Sequence, residues 1–241
     1  MTNFVEVANE LSFPEGPVAL PDGSVVVVEM MKRCITRILP DLTKQTVAEV
    51  AGGPNGLALG PDGALYLCNN GGSFSKQVFN GITYPGPFDP DLYLGGRIQR
   101  VDLDSGEVTD LYTHCDGHEL RGPNDIVFDA HGGMWFTEHG IRHGRVFDLT
   151  GIYYAKTDGS MIREVIFHVK HPTASVSRPM ARLFIGLKHS TVGCSRRKLP
   201  VRVRSRNSAL EILATVWLVY QDCNTSTRSQ SIVMAMFVLR H

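Results

Sequence analysis

Three stretches of this chain share one frame, and that repeat limits the fold more than anything else in the sequence. They are PEGPVALPDGSVVVVEM from Pro14, PNGLALGPDGALYLCNN from Pro54 and PNDIVFDAHGGMWFTEH from Pro123. Each reads as proline, an oxygen-bearing side chain, a short strand, a turn and a second strand. Pro21-Asp22-Gly23 and Pro61-Asp62-Gly63 fall at the same offset, and both are predicted hairpin turns, because proline presets φ and glycine accepts φ > 0. The runs after the turns, residues 24–30, 64–68 and 133–137, are alternating or β-branched, as half-buried strands are. Further strand pairs are predicted at 34–39 with 45–50, 96–103 with 108–114, and 151–156 with 162–169, turned by Asp104-Ser105-Gly106 and Thr157-Asp158-Gly159. Up to about residue 170 no helical periodicity is present. A sandwich accommodates such strands, but a repeated four-stranded unit that must stack on its own copies predicts the blades of a β-propeller.

In a propeller, equal offsets in successive blades lie at equal radius, so the second position of the repeat gains interest. It holds Glu15, Asn55 and Asn124. One Asn at a strand start caps a turn. Three oxygen-bearing side chains in register put a second reading beside that one, a shared site on the axial channel of the kind that suits a hard divalent cation.

The charges balance over the whole chain, with 24 Lys+Arg against 24 Asp+Glu, but not along it. Residues 1–172 carry 13 basic and 22 acidic side chains, and residues 173–241 carry 11 and 2. Glycine falls from 22 to 2 across the same boundary. The domains are therefore read as a propeller portion, 1–172, and a basic tail, 173–241. The five cysteines, widely spaced and without a C-x-x-C pair, are read as free thiols. The start, MTNFVEVANELSF, has no basic and apolar leader, which predicts a cytoplasmic protein. The late apolar run at 210–220 is too short for a membrane span.

FPEGPVALPDG, GGPNGLALGPDGALYLCNNGG, GGRIQRVD, RGPNDIVFDAHGGMWFTEHG and GIYYAKTDGSMIREVIF together resemble the SMP-30/gluconolactonase/luciferin-regenerating family over about residues 5–172. The resemblance implies a six-bladed propeller with one divalent metal ion in its channel. Calcium is the first choice, with magnesium, manganese or zinc as alternatives. It implies hydrolysis of sugar-type lactones, with a small-molecule lactone as partner and neither nucleic acid nor membrane. By motif, Glu15 is the first metal ligand, and Arg121 and Asn124 are the substrate-binding pair, with Asn124 also within reach of the metal. The remaining ligands and the general-base Asp belong after residue 170.

No such repeat follows Pro172. Read one frame over, the codons from Pro172-Thr173 permit N-G-I-G-L-S-P-D-G and then S-T-L-Y-W-A-E-T, a fourth repeat. Those from Thr225-Ser226 permit F-D-S-L-A-V-D-S-D-G-N-V-C, a fifth. The tail is therefore read as out of frame and poorly folded. The propeller is expected to be incomplete, with about three to three and a half blades, and its lactonase activity impaired. The positions expected to carry the missing Asn and Asp read Thr173 and Ser226 or Thr227. The rival reading is a basic extension that binds nucleic acid through Arg196, Arg197, Lys198, Arg202, Arg204 and Arg206, but it lacks aromatic interleaving and any recognisable module.

Several further residues invite a role. Of the clustered histidines, His114, His118, His131 and His143 are read as surface residues and His139 as a candidate for the channel lining. Asp125 and Glu138 are acids near Asn124; strand-end carboxylates are usually hydrogen-bond partners, but Asp125, like Asn55 and His139, is read as lining the channel. Residues 71–94, rich in Gly, Pro and aromatics, are too long for a plain connection and are read as a lid. Two functional classes stand: a metal-dependent lactone hydrolase, and a non-catalytic propeller that binds or regulates.

Overall fold

A computed structural model of the chain describes residues 6–169, and those from Glu10 onward belong to one compact unit. The repeats fold as expected, into antiparallel sheets of four strands. The first sheet is β1 (Pro14–Ala19), β2 (Val25–Glu29), β3 (Cys34–Ile38) and β4 (Lys44–Glu49), paired in chain order. The second begins with β5 (Pro54–Leu59) and β6 (Leu65–Asn69). It leaves the sheet for a hairpin, β7 (Lys76–Phe79) and β8 (Ile82–Pro85), then returns as β9 (Arg97–Val101) and β10 (Val108–Tyr112). A short hairpin, β11 (His114–Cys115) and β12 (His118–Glu119), leads to the third sheet. That sheet is β13 (Pro123–Phe128), β14 (Met134–Glu138), β17 (Thr150–Ala155) and β18 (Ile162–Val169), with the hairpin β15 (Arg142–His143) and β16 (Val146–Phe147) inserted before β17.

These are three blades of an incomplete, all-β propeller, and no helix occurs among the described residues. Accordingly, none is long and apolar enough to cross a membrane there. The expectations for residues 173–241, including the frame change and the nucleic-acid alternative, lie outside the described residues, as do Cys194 and Cys223. Cys34, Cys68 and Cys115 are free, as predicted, and they are buried.

The turns obey the chemistry that predicts them. In the first, Gly23 N–H donates to Leu20 O at 3.0 Å, Gly23 has φ +85°, and Asp22 Oδ1 accepts from Ser24 N–H at 3.0 Å. Pro61-Asp62-Gly63 repeats the arrangement with Gly63 at φ +80°.

Stacking of the blades makes two cores. Val26, Val28, Ile35, Leu57, Leu65 and Leu67 fill the space between the first and second blades. Tyr66, Ile98, Ile126, Met134, Phe136 and Tyr153 fill that between the second and third. Fully burying one such side chain stabilises the fold by roughly 1.5–3 kcal/mol.

Candidate functional site

The innermost strands β1, β5 and β13 each carry a break in register near the start of the repeat, one residue later in β1 than in the other two. Pairing with the second strand slips between Glu15 and Val18, between Pro54 and Leu57, and between Pro123 and Ile126. Glu15, Asn55 and Asn124 therefore sit on or beside a bulge in three consecutive blades. Bulges bend a strand and re-aim its side chains, and they concentrate near functional sites.

Glycine at the next position lets these strands close on one another. A Cβ on Gly16, whose φ is +51°, would lie 2.8 Å from the carbonyl oxygen of Asn55 and 2.5 Å from the backbone nitrogen of Leu57. One on Gly56 would lie 2.5 Å from both the carbonyl oxygen of Asn124 and the Cα of Asp125. The strand starts that carry the three polar residues are thus in backbone contact, pair by pair.

Asn55 is buried, whereas Glu15, Asn124 and Asp125 are partly exposed. Burial, and then the negative charge of Asp125, push the Glu15 carboxyl up to about 7. A carboxylate raised in this way, in register with two amides, is a donor set that fits a hard cation, whose charge would offset the repulsion. Among the described residues no three His, Cys, Asp or Glu side chains gather into a metal-holding group.

Arg121 lies in the turn that enters β13 and is fixed from several sides. Its Nε donates to Asp148 Oδ2 at 3.2 Å, and Glu119 lies 3.9 Å from Nη1. Its guanidinium stands over the Tyr93 ring, 5.6 Å from the centroid, and the Tyr93 hydroxyl donates to the Arg121 carbonyl at 2.7 Å. His139 adjoins this turn: its N–H donates to Gly122 O at 2.9 Å, and its ring is buried 5.6 Å from that of Phe74. His114, His118, His131 and His143 are exposed, as expected. The segment read as a lid contains the hairpin β7–β8. It returns through Phe88 and Tyr93, whose rings meet edge to face at 5.4 Å.

A second polar register escaped the reading of the sequence. The residue paired with each repeat proline is Glu29 opposite Pro14, Asn69 opposite Pro54 and Glu138 opposite Pro123. All three are buried. Each accepts from backbone N–H groups of the loop entering its blade: Glu29 from Ser12 at 2.8 Å, Asn69 from Gly53 at 2.9 Å, and Glu138 from both Arg121 and Gly122. Burial opposes the charge of Glu29, but hydrogen bonds led by that from Thr36 hold its carboxyl below the ordinary value. For Glu138 burial wins and pushes the carboxyl up. Their common offset from proline was the available signal. It was obscured because two are carboxylates and one is an amide.

The sequence pattern described as the SMP-30/Gluconolactonase/LRE-like region matches residues 13–185. The chain belongs to this family. The match starts later than the bounds read from the motifs and runs past Pro172. Among solved structures, the chain is similar to a gluconolactonase of Xanthomonas campestris, at 19% identity and a TM-score of 0.54, covering 70% of this chain and 52% of that one. A second protein assigned to the gluconolactonases matches at 18% identity and a TM-score of 0.54, over 71% and 54% of the respective chains. The likeness establishes the gluconolactonase type of propeller, and the chain spans about half the length of these relatives. No curated protein matches in sequence.

Proposed function

We propose that the described residues carry one side of the axial site of a lactone hydrolase that acts on sugar-type lactones and depends on one divalent ion, calcium first. The observation that supports this most directly is the shared repeat position of Glu15, Asn55 and Asn124, at the edge of or within a register break on three abutting inner strands, with Arg121 fixed three residues before Asn124. Glu15 and Asn124 would hold the ion and Asn55 would line the channel. The ion supplies Lewis acidity toward the lactone carbonyl or its attacking water.

Arg121 and Asn124 bind substrate in this reading. The guanidinium donates to ring or hydroxyl oxygens, and the Asn124 amide offers both a donor and an acceptor, so together they orient the ester. Asp125 and His139 line the same region. The carboxylate expected to accept the water's proton belongs after residue 170, as do the remaining ion ligands. Turnover by this chain is impaired in this reading, because the positions expected to supply the missing Asn and Asp carry Thr173 and Ser226 or Thr227, and Glu15 and Asn124 alone do not make up the six to eight oxygens that calcium takes. The nucleotide sequence around codon 172 tests the cause: if one base has been lost there, putting it back restores P-N-G and the fourth repeat.

The deciding experiment measures acid release from δ-gluconolactone by the full chain with calcium and with chelator, alongside calorimetric titration with calcium. Weak, calcium-dependent turnover that is lost in Glu15→Ala and Asn124→Ala supports the lactonase. Calcium binding without turnover, in this chain and in its frame-restored version, favours the binding or regulatory propeller.

A further inference from the structure

We infer that Asp148 and Tyr93 are positioning residues that aim the outer edge of Arg121 at the ligand's carboxyl-type oxygens. The inference rests on the reading of Arg121 as a substrate-binding residue.

A guanidinium on a turn is ordinarily free to swing, and holding one costs side-chain entropy that a ligand must otherwise supply. Here the cost is met by the protein. Asp148 Oδ2 takes the Nε–H of Arg121 at 3.2 Å and is itself pinned by the Ile141 N–H at 2.9 Å. Asp148 N–H in turn donates to Ile141 O at 3.1 Å, so this carboxylate belongs to a closed turn and not to a loose loop. Gly140, at φ +67°, brings the chain so close that a Cβ there would lie 2.6 Å from that of Asp148.

Tyr93 acts on the opposite side. Its ring lies beneath the guanidinium while its hydroxyl bridges two backbones, accepting from Gly96 N–H at 3.1 Å and donating to Arg121 O at 2.7 Å. With Nε engaged by Asp148, and Glu119 at 3.9 Å from Nη1 close enough for ion pairing but too far for a hydrogen bond, the Nη1 and Nη2 donors remain for a ligand, the end-on edge that pairs with the two oxygens of a carboxylate. Ring opening of a lactone creates such a carboxylate, so the geometry suits an aldonate product and the ester that precedes it. Tyr93 also closes the lid segment, which ties the seating of that segment to the orientation of Arg121.

The test titrates the full chain with D-gluconate by calorimetry and follows the Arg121 Nε–H signal by NMR. Asp148→Asn keeps an acceptor for Ile141 but removes the charge. It is expected to weaken gluconate about tenfold, the scale of one charge-assisted hydrogen bond, and to shift the Nε–H signal while the melting temperature moves little. Tyr93→Phe retains the ring and should bind more tightly than Tyr93→Leu, a comparison that stands even if Asp148→Asn fails to fold. Unchanged affinity in both Asp148→Asn and Tyr93→Leu, with binding lost in Arg121→Gln, overturns the positioning role and leaves the function intact. Unchanged affinity in Arg121→Gln, or no gluconate binding by the wild-type chain, overturns both.

Discussion

The Glu138 carboxylate holds the backbone N–H groups of Arg121 and Gly122 together, the second at 3.0 Å. Glu138 is buried, so Glu138→Ala leaves two donors without an acceptor and is expected to destabilise the chain by about 3 kcal/mol. Glu138→Gln retains one acceptor oxygen and should cost roughly half of that. Urea unfolding measures both. A loss below about 0.5 kcal/mol in the alanine variant, the range of an ordinary surface change, would show that the entry loop is held by other means.

Gly56 and Gly63 separate crowding from backbone strain. Alanine at Gly63 meets nothing within 4 Å but must adopt φ +80°, which costs about 1 kcal/mol. Alanine at Gly56 has no positive φ to adopt but would drive its Cβ to 2.5 Å from the β13 backbone, where neither strand can yield without moving a blade. Its cost is expected to reach about 3 kcal/mol, at the upper end for overpacking. Chemical denaturation of the two variants gives the order, and a Gly63→Ala effect equal to or larger than that of Gly56→Ala would contradict it.

Glu15 makes stability depend on pH with a definite sign. Its folded pKa of about 7 lies above the ordinary 4.5, so between those values the native state binds more protons than the unfolded one. The stability Glu15 contributes is present below about pH 4.5 and declines as pH rises to about 7. Melting temperatures at pH 5 and pH 7.5 should differ less in Glu15→Gln than in the wild type. Equal slopes in the two proteins would exclude Glu15 as the source.

Burial pushes the Cys115 thiol up to about 11, raises that of Cys68 well above the ordinary value, and raises that of Cys34. Thiolate is scarce at each, and access is closed. Iodoacetamide at pH 8 is therefore expected to leave all three unmodified in the native chain and to label them in urea, as read by peptide mass spectrometry. Native labelling of Cys68, which has no exposed surface, would contradict the packing between the second and third blades.

The hairpin repeats were legible because their turns need proline, aspartate and glycine at fixed places, and period-2 strands reveal themselves locally. Glu15, Asn55 and Asn124 were legible for the same reason, since each follows a repeat proline. The inserted hairpin β15–β16 and the role of Asp148 were not. Asp148 reaches Arg121 across 27 residues of chain, and nothing in its local sequence records that contact. The register of Glu29, Asn69 and Glu138 lay between these cases. It is periodic, but it joins residues of different charge through one shared capacity, accepting an N–H.

Asp125 occupies the place that Gly16 and Gly56 hold in the first two blades. A strand seated against β13 as β5 is seated against β1 would meet the Asp125 Cβ at a distance no pair of atoms tolerates. The repeats are therefore not interchangeable parts. A chimera in which the second hairpin unit replaces the first keeps glycine at the junction and preserves the spacing, whereas one that inserts the third unit ahead of the second does not. A copy of the third unit placed ahead of another blade would meet its first barrier at that aspartate.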